Sequence, residues 1–227
     1  MMKKFVPPAL PLAVLFLASC SATPPAIPEP ASSEASTVQG TAPTRMASEA
    51  DVTVSAMWAF DVTSIDEIRK HADLLVAAEV TTIADRATFV IPGSGMPYTE
   101  VGLRVGDVLK GTPPDSDFIA LYAGGTVTLQ QVLDDSPKES AEKSGLTELT
   151  KEELSQRTQT YAYDEHVELV PGSKYVLALG HNDDGTYTIG PAGFAVFQLG
   201  GGTLSNDITG NKYAYEDLRL GWGNHEV

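Results

Sequence analysis

Apolar and polar positions along this chain fall into three regimes. Phe5 to Ala18 is apolar apart from its prolines, residues 21 to about 50 are dominated by Ser, Thr, Ala, Pro and Glu, and beyond Met57 short apolar runs alternate with turn-forming residues. Order is expected to begin near Met57-Trp58-Ala59-Phe60. Ser64 followed by Glu67 is a capping-box pattern, and Ile65, Ile68 and Ala72 recur at helical spacing, which predicts a short helix over about 65–72. His71 falls in the last turn of that helix, where the dipole favours a surface imidazole. Ala72 to Ile83, apolar and then β-branched, predicts a long strand that is at least partly buried. Val101, Leu103 and Val105 alternate with Gly102 and Arg104 in a half-buried strand that ends at Lys110-Gly111-Thr112-Pro113-Pro114. Phe118 to Ala123 predicts a third strand, halted at Gly124-Gly125.

The pattern then changes. From Gln130 to Glu168 there are ten acids against four bases and few apolar anchors, so residues 130–166 read as a long acidic surface insertion. Within it Thr150 and Glu153 form a second capping box, and a short helix through Leu154 is predicted. Insertions this long are more often functional or disordered than structural padding, which makes this one the first candidate for a partner surface. Strands are predicted again at 174–181 and 187–189, joined by the hairpin signal Asn182-Asp183-Asp184-Gly185, and at 193–199, turned by Gly200-Gly201-Gly202. The expected fold is mainly β, a small barrel or sandwich with OB-like topology among the options, a short N-terminal helix and the acidic insertion.

The order of features resembles one known barrel. Ala72-Asp73-Leu74-Leu75-Val76 opening a strand, Val108-Leu109-Lys110-Gly111 closing one, and Pro171-Gly172-Ser173-Lys174-Tyr175 opening another are similar to the OB-type barrel of netrin-like and inhibitor-of-metalloproteinase domains. The resemblance spans about 72–200 and implies a fold. It departs where those domains carry disulfides and the inhibitors place an N-terminal cysteine on the metal, because Cys20 is the sole cysteine here.

The N-terminal regime is an address. Lys3 and Lys4 precede the apolar run, which is too short to span a bilayer and is broken by Pro7, Pro8 and Pro11. Residues 1–19 therefore read as a cleaved signal peptide. Leu17-Ala18-Ser19-Cys20 resembles the lipobox of bacterial lipoprotein precursors. The resemblance implies cleavage after Ser19, a diacylglycerol on the Cys20 sulfur, and acylation of the new amino group. Two or three acyl chains anchor a protein stably where one is marginal. Residues 20–50 then form the lipidated end and a disordered tether, and 51–227 a single β-rich extracytoplasmic domain.

Charge narrows the partners. The formal net charge is −15, and loss of residues 1–19, which hold two lysines and no acid, takes it to −17. So acidic a body is not a nucleic-acid binder and does not adhere to anionic lipid by charge; the acylated Cys20 would hold it to the bilayer. With that cysteine lipidated, no thiol remains for disulfides, zinc or nucleophilic catalysis.

Candidate chemistry is sparse. Asp164, Glu165 and His166, with His181, Asn182 and Asp183, could supply carboxylate and imidazole to a metal or to acid–base work, although neighbours on a strand point to opposite faces. Asn182-Asp183-Asp184-Gly185 lacks the spacing of a calcium loop, Gly200-Gly201-Gly202 has no following Lys-Ser/Thr, and Gly93-Ser94-Gly95 lacks a nucleophile elbow. Tyr161, Tyr163, Tyr213, Tyr215 and Trp222 could line a sugar or peptide groove, or be half-buried strand residues. No catalytic residue, metal or cofactor is assigned. The expected function is a lipid-anchored binding or interaction module on the extracytoplasmic face of the cell or outer membrane, its partner an envelope protein or glycan. The alternative is a hydrolase or metal-assisted enzyme built around His166 and His181.

Overall fold

The computed structural model describes residues 51–90 and 95–221. Cys20 with the lipobox expected around it, the segment expected to be a tether, Ser94 and Trp222 lie outside the described residues. The chain opens with strand β1 (Val52–Val54) and helix α1 (Ile65–His71), followed by β2 (Leu74–Ile83), β3 (Tyr98–Lys110) and β4 (Asp117–Ala123). Next come β5 (Gly125–Thr128), helices α2 (Leu129–Asp135), α3 (Lys138–Lys143) and α4 (Lys151–Gln156), and β6 (Thr158–Tyr163). Strands β7 (Lys174–His181), β8 (Tyr187–Ile189), β9 (Val196–Gly200), β10 (Thr203–Ser205) and β11 (Lys212–Ala214) and helix α5 (Tyr215–Gly221) complete it.

Five of these strands close into a barrel. β2 runs antiparallel to both β3 and β7, β3 pairs with β4, β4 pairs in parallel with β8, and β8 returns antiparallel to β7. Counting barrel strands only, the first pairs with the second and fourth while the third and fifth are parallel, which is OB-type Greek-key connectivity. The barrel option therefore holds over the sandwich. Leu74 to Ala78 of β2 are buried without a break, as expected of a strand covered on both faces. With Val101, Leu103, Leu177, Leu179 and Ile189 they form the main core, each large side chain contributing about 2 kcal/mol by leaving water. Register shifts at three points between β2 and β3 bend the thirteen-residue β3 around the barrel.

The predicted first helix forms with its cap: Ser64 Oγ accepts from the Glu67 amide, and Ile65 and Ile68 are buried. Its C-terminus is held from the barrel, since Lys110 Nζ donates to the carbonyls of Arg69 (2.8 Å), Lys70 (3.2 Å) and Ala72. His71 stacks on Phe60 with ring centroids 4.2 Å apart and lies 3.6 Å from Glu67, a surface role as expected.

Three expectations are corrected. Order starts earlier than Met57, at β1, whose Val-Thr-Val alternation sits beside β6 in a parallel pair. The stretch 130–166 is inserted between the third and fourth barrel strands as expected, but it is not short of apolar anchors. Its helices pack on a second sheet, β1-β6-β5, around Val127, Val132, Ala141, Leu146, Leu154 and Tyr161. Each helix has only six or seven residues and so buries a single side chain among its polar neighbours, which hides the core from a periodicity reading. The capping box of Thr150 and Glu153 is present, and Lys143–Glu139 (2.8 Å) and Lys138–Glu142 (3.8 Å) neutralise part of the acidity on α3. Residues 193–195, expected as strand, form a tight 3-10 turn before β9.

Beyond the barrel, β7 divides its edge. Its second half pairs with β8, and its first half pairs with β9, which extends the sheet to β10 and β11. The buried Asn206 fastens this extension: its Nδ2 donates to the carbonyls of Gly193 (3.0 Å), Phe194 (3.2 Å) and Val196 (2.9 Å), and its Oδ1 accepts from the amides of Ile208 (3.1 Å) and Thr209 (2.9 Å). Asn206→Asp would set a carboxylate oxygen against those carbonyls. The variant is expected to lose about 3 kcal/mol in a urea unfolding titration, and a loss under about 1 kcal/mol would show that the amide is not the fastening.

Candidate functional site

The chain leaves the barrel abruptly. After β4, Gly124 and Gly125 take φ of +107° and +118°, a conformation that side chains resist. A Cβ on Gly124 would lie 2.8 Å from the Tyr161 carbonyl oxygen, and one on Gly125 would lie 2.1 Å from Thr99 Oγ1 and 2.9 Å from Ala87 Cβ. Only glycine lets the second sheet start this close to the barrel. The two sheets leave a cleft of about 270 Å³ between them. Ile83, Thr99, Val101 and Tyr122 line it from the barrel, Thr160, Tyr161 and Ala162 from the second sheet, and His166, Glu168 and Leu169 from the strap that leads to β7.

That strap, residues 166–170, has no strand partner, and tyrosine hydroxyls replace one. Tyr122 Oη accepts from the Val167 amide (3.2 Å) and donates to the Val167 carbonyl (3.0 Å), and Tyr175 Oη accepts from the Val170 amide (3.1 Å). Burial pushes the Tyr122 phenol well above its ordinary range, so it stays protonated and able to donate. The His166 ring stacks on Tyr122, centroids 5.0 Å apart and planes 29° from parallel. Burial against that ring lowers the His166 pKa below 6.5, with Glu168 pulling the other way, although the residue keeps an exposed side. At neutral pH the rim of the cleft thus carries an uncharged imidazole and a carboxylate above a mostly apolar floor. Such a surface can hold a compact apolar body and orient it by one polar end.

The sequence candidates are distributed differently. Asp164 accepts a hydrogen bond from Ser55 Oγ, in the turn that closes β6 beside β1. His181 lies at the end of β7, its amide donating to Asp73 (2.8 Å) and its ring edge-on to Tyr187 at 5.0 Å. Asn182 Nδ2 donates to Thr186 and Thr188, both at 2.8 Å, and Asp184 accepts from the Thr186 amide (2.9 Å), so the hairpin closes on itself. Those Thr186 bonds hold the Asp184 carboxyl below its usual value. His166 and His181 therefore keep separate partners, Tyr122 and Tyr187, and no group of three His, Cys, Asp or Glu side chains suited to a metal gathers among the described residues. Of the aromatics, Tyr161 is buried against Phe89, Tyr163 meets Trp58, Tyr213 meets Phe197, and the Tyr215 hydroxyl donates to Asp107 (3.0 Å). Only Tyr161 of this set reaches the cleft.

Sequence reasoning found His166 but not its surroundings. Thr99 and Tyr122 come from segments far from His166 in the chain, Glu168 and Leu169 follow it on the same strap without a pattern that marks them, and the local signal Gly124-Gly125 reads equally well as a strand stop. A titration of the His166 ring by NMR is expected to give a midpoint below 6.5, moving lower still in Glu168→Gln, which removes the favourable charge. Because the unfolded chain takes up this proton first as pH falls, the imidazole favours folding above that window and the benefit fades through it. A midpoint at or above 6.5 would contradict the stacked, desolvated placement. Neither family models nor curated proteins nor solved structures yielded a match to this chain.

Proposed function

We propose that this protein is a lipid-anchored extracytoplasmic lipoprotein whose barrel serves as a binding module of the cell envelope. The observation that carries the reading is the ordered N-terminal series: Lys3 and Lys4, the apolar run from Phe5, and Leu17-Ala18-Ser19-Cys20 with the only cysteine of the chain at the cut. Diacylglycerol on Cys20, with acylation of the freed amine, supplies the multiple chains that stable anchoring requires. The net charge repels anionic headgroups, so the anchor and not the body's electrostatics sets residence at the membrane.

The binding half of the reading is supported by the cleft between barrel and second sheet, which combines a mostly apolar interior, its threonine hydroxyls already hydrogen-bonded, with the ionisable side chains His166 and Glu168. The partner is an envelope protein or glycan that presents a small group to it. The exposed acids of α3 and α4, among them Glu139, Glu142 and Glu152, form a neighbouring contact surface on the same layer.

Anchoring is tested in the producing cell with radiolabelled palmitate. The native protein is expected to take up label and to sediment with membranes at the mobility of the cleaved, acylated form. Cys20→Ser is expected to lose the label and to change mobility. A Cys20→Ser protein that kept label, mobility and membrane association would sink the lipoprotein reading.

A further inference from the structure

We propose that the cleft between the barrel and the second sheet binds an uncharged planar aromatic group of two fused rings, and not a sugar or an ion. The inference rests on the binding-module reading and names the chemistry of the group that a partner would present to the cleft.

Size sets the first limit. A cavity of about 150 Å³ with aliphatic and aromatic walls holds benzene. The cleft offers about 270 Å³, room for a second ring. Its walls then restrict the chemistry. The side-chain hydroxyls of the described lining residues are already engaged: Thr99 Oγ1 donates to the Gly124 carbonyl at 2.8 Å, Thr160 Oγ1 pairs with Thr126 Oγ1 at 2.9 Å, Tyr122 Oη is bonded to the Val167 backbone, and Tyr161 Oη donates to Gln159 at 3.2 Å. A sugar would bring several hydroxyls out of water to a wall with little left to bond them. An apolar body gives up no such bonds, and Ile83, Val101 and Leu169 supply aliphatic surface for it. No lysine or arginine is found among the described lining residues to meet an anion. His166 is uncharged at neutral pH and Glu168 already has a partner, so an ion of either sign would shed its water without gaining a free counter-charge.

The rings favour an aromatic body over a saturated one. Tyr122 and His166 form a stack with centroids 5.0 Å apart at the barrel end of the cleft, and Tyr161 borders it from the second sheet, set edge-on to Phe89. Rings from both layers thus line one space, and a flat ring system gains edge and face contacts that a saturated body of the same volume lacks.

The charged depression across β2, β3 and α5 is a poorer candidate. Its charges satisfy one another: Glu79 faces Lys174 and Arg104 across the strands, Arg104 lies 3.3 Å from Asp117, and Arg219 lies 3.2 Å from Asp107. A ligand there would have to displace these pairs, whereas the cleft needs no such exchange.

The test uses the full lipidated protein in nanodiscs, with empty nanodiscs subtracted to remove partition into lipid. Equilibrium dialysis ranks 1-naphthol, decahydro-1-naphthol, N-methylquinolinium, 1-naphthoate and N-acetylglucosamine. Naphthol is expected to bind tightest, its saturated counterpart about fivefold more weakly, the two ions weaker by about tenfold or more, and the sugar not at all. Ala162→Met, which narrows the cleft, should weaken naphthol about tenfold. His166→Leu and, separately, Tyr161→Leu keep the walls apolar but remove a ring, and each should cut the lead of naphthol over the saturated alcohol. Thermal melts confirm that the variants fold, and His166, on the exposed rim, carries the comparison if Tyr161→Leu does not. An ion or the sugar binding tightest, a saturated alcohol equal to naphthol, or a lead untouched by loss of the rings overturns the aromatic class while leaving the cleft as a site. Failure of every probe, or binding indifferent to Ala162→Met, overturns the proposal and removes the cleft from the binding-module reading as well.

Discussion

The parallel pairing of β4 with β8 is short, three residue pairs from Ala120 to Tyr122, yet the whole architecture hangs on it. Parallel neighbours cannot be joined by a tight turn, so the chain must leave β4, travel, lay down β7 on the far side of β2, and only then return as β8. The bonds from β8 to both β4 and β7 close the wall and leave the barrel strands without an open edge at that point. Leu179, Ile189, Ala120 and Tyr122 are buried where these three strands meet, so closure and core formation are one event.

Topology also explains why a second layer exists and where it sits. The excursion from β4 to β7 is long, and it supports itself with a sheet and three short helices that share a separate apolar cluster. Gly124 and Gly125 set the angle at which this layer departs, and the strap 166–170 brings the chain back along the barrel. The cleft is the space that remains between departure and return. Its walls come from β2, β3, β4, β6 and the strap, and its position follows from the connection rather than from any one segment.

The polar groups around that space follow a consistent logic. Tyr122 spends its hydroxyl on the strap and its ring on His166, so the residue that seals the barrel end also orders the rim of the cleft. Lys110 and Asn206 do comparable work elsewhere, each one side chain collecting several backbone carbonyls. In a chain with one cysteine, which can form no internal disulfide, such multidentate polar contacts and two apolar cores are what hold the folded body together.

Much of this was legible in the residues themselves. The periods of Ile65–Ile68 and Val101–Leu103, the capping residues Ser64 and Thr150, and the turn at Asn182–Gly185 act over a few positions, and local physics decides them wherever they occur. The acidic charge and the series Leu17-Ala18-Ser19-Cys20 are likewise properties of the chain as written. What only the tertiary structure decided was which segments meet. Val132, Ala141, Leu146 and Leu154 are isolated apolar residues among charges until short helices turn them toward Val127 and Tyr161, and Val52–Val54 is a strand only because β6 lies beside it. His166 stood out in the sequence for its acidic neighbours, but its chemistry is set by Tyr122, forty-odd residues away and brought to it by a hydroxyl bonded to Val167. Burial and stacking depend on long-range packing, and no local pattern encodes the partner that packing will supply.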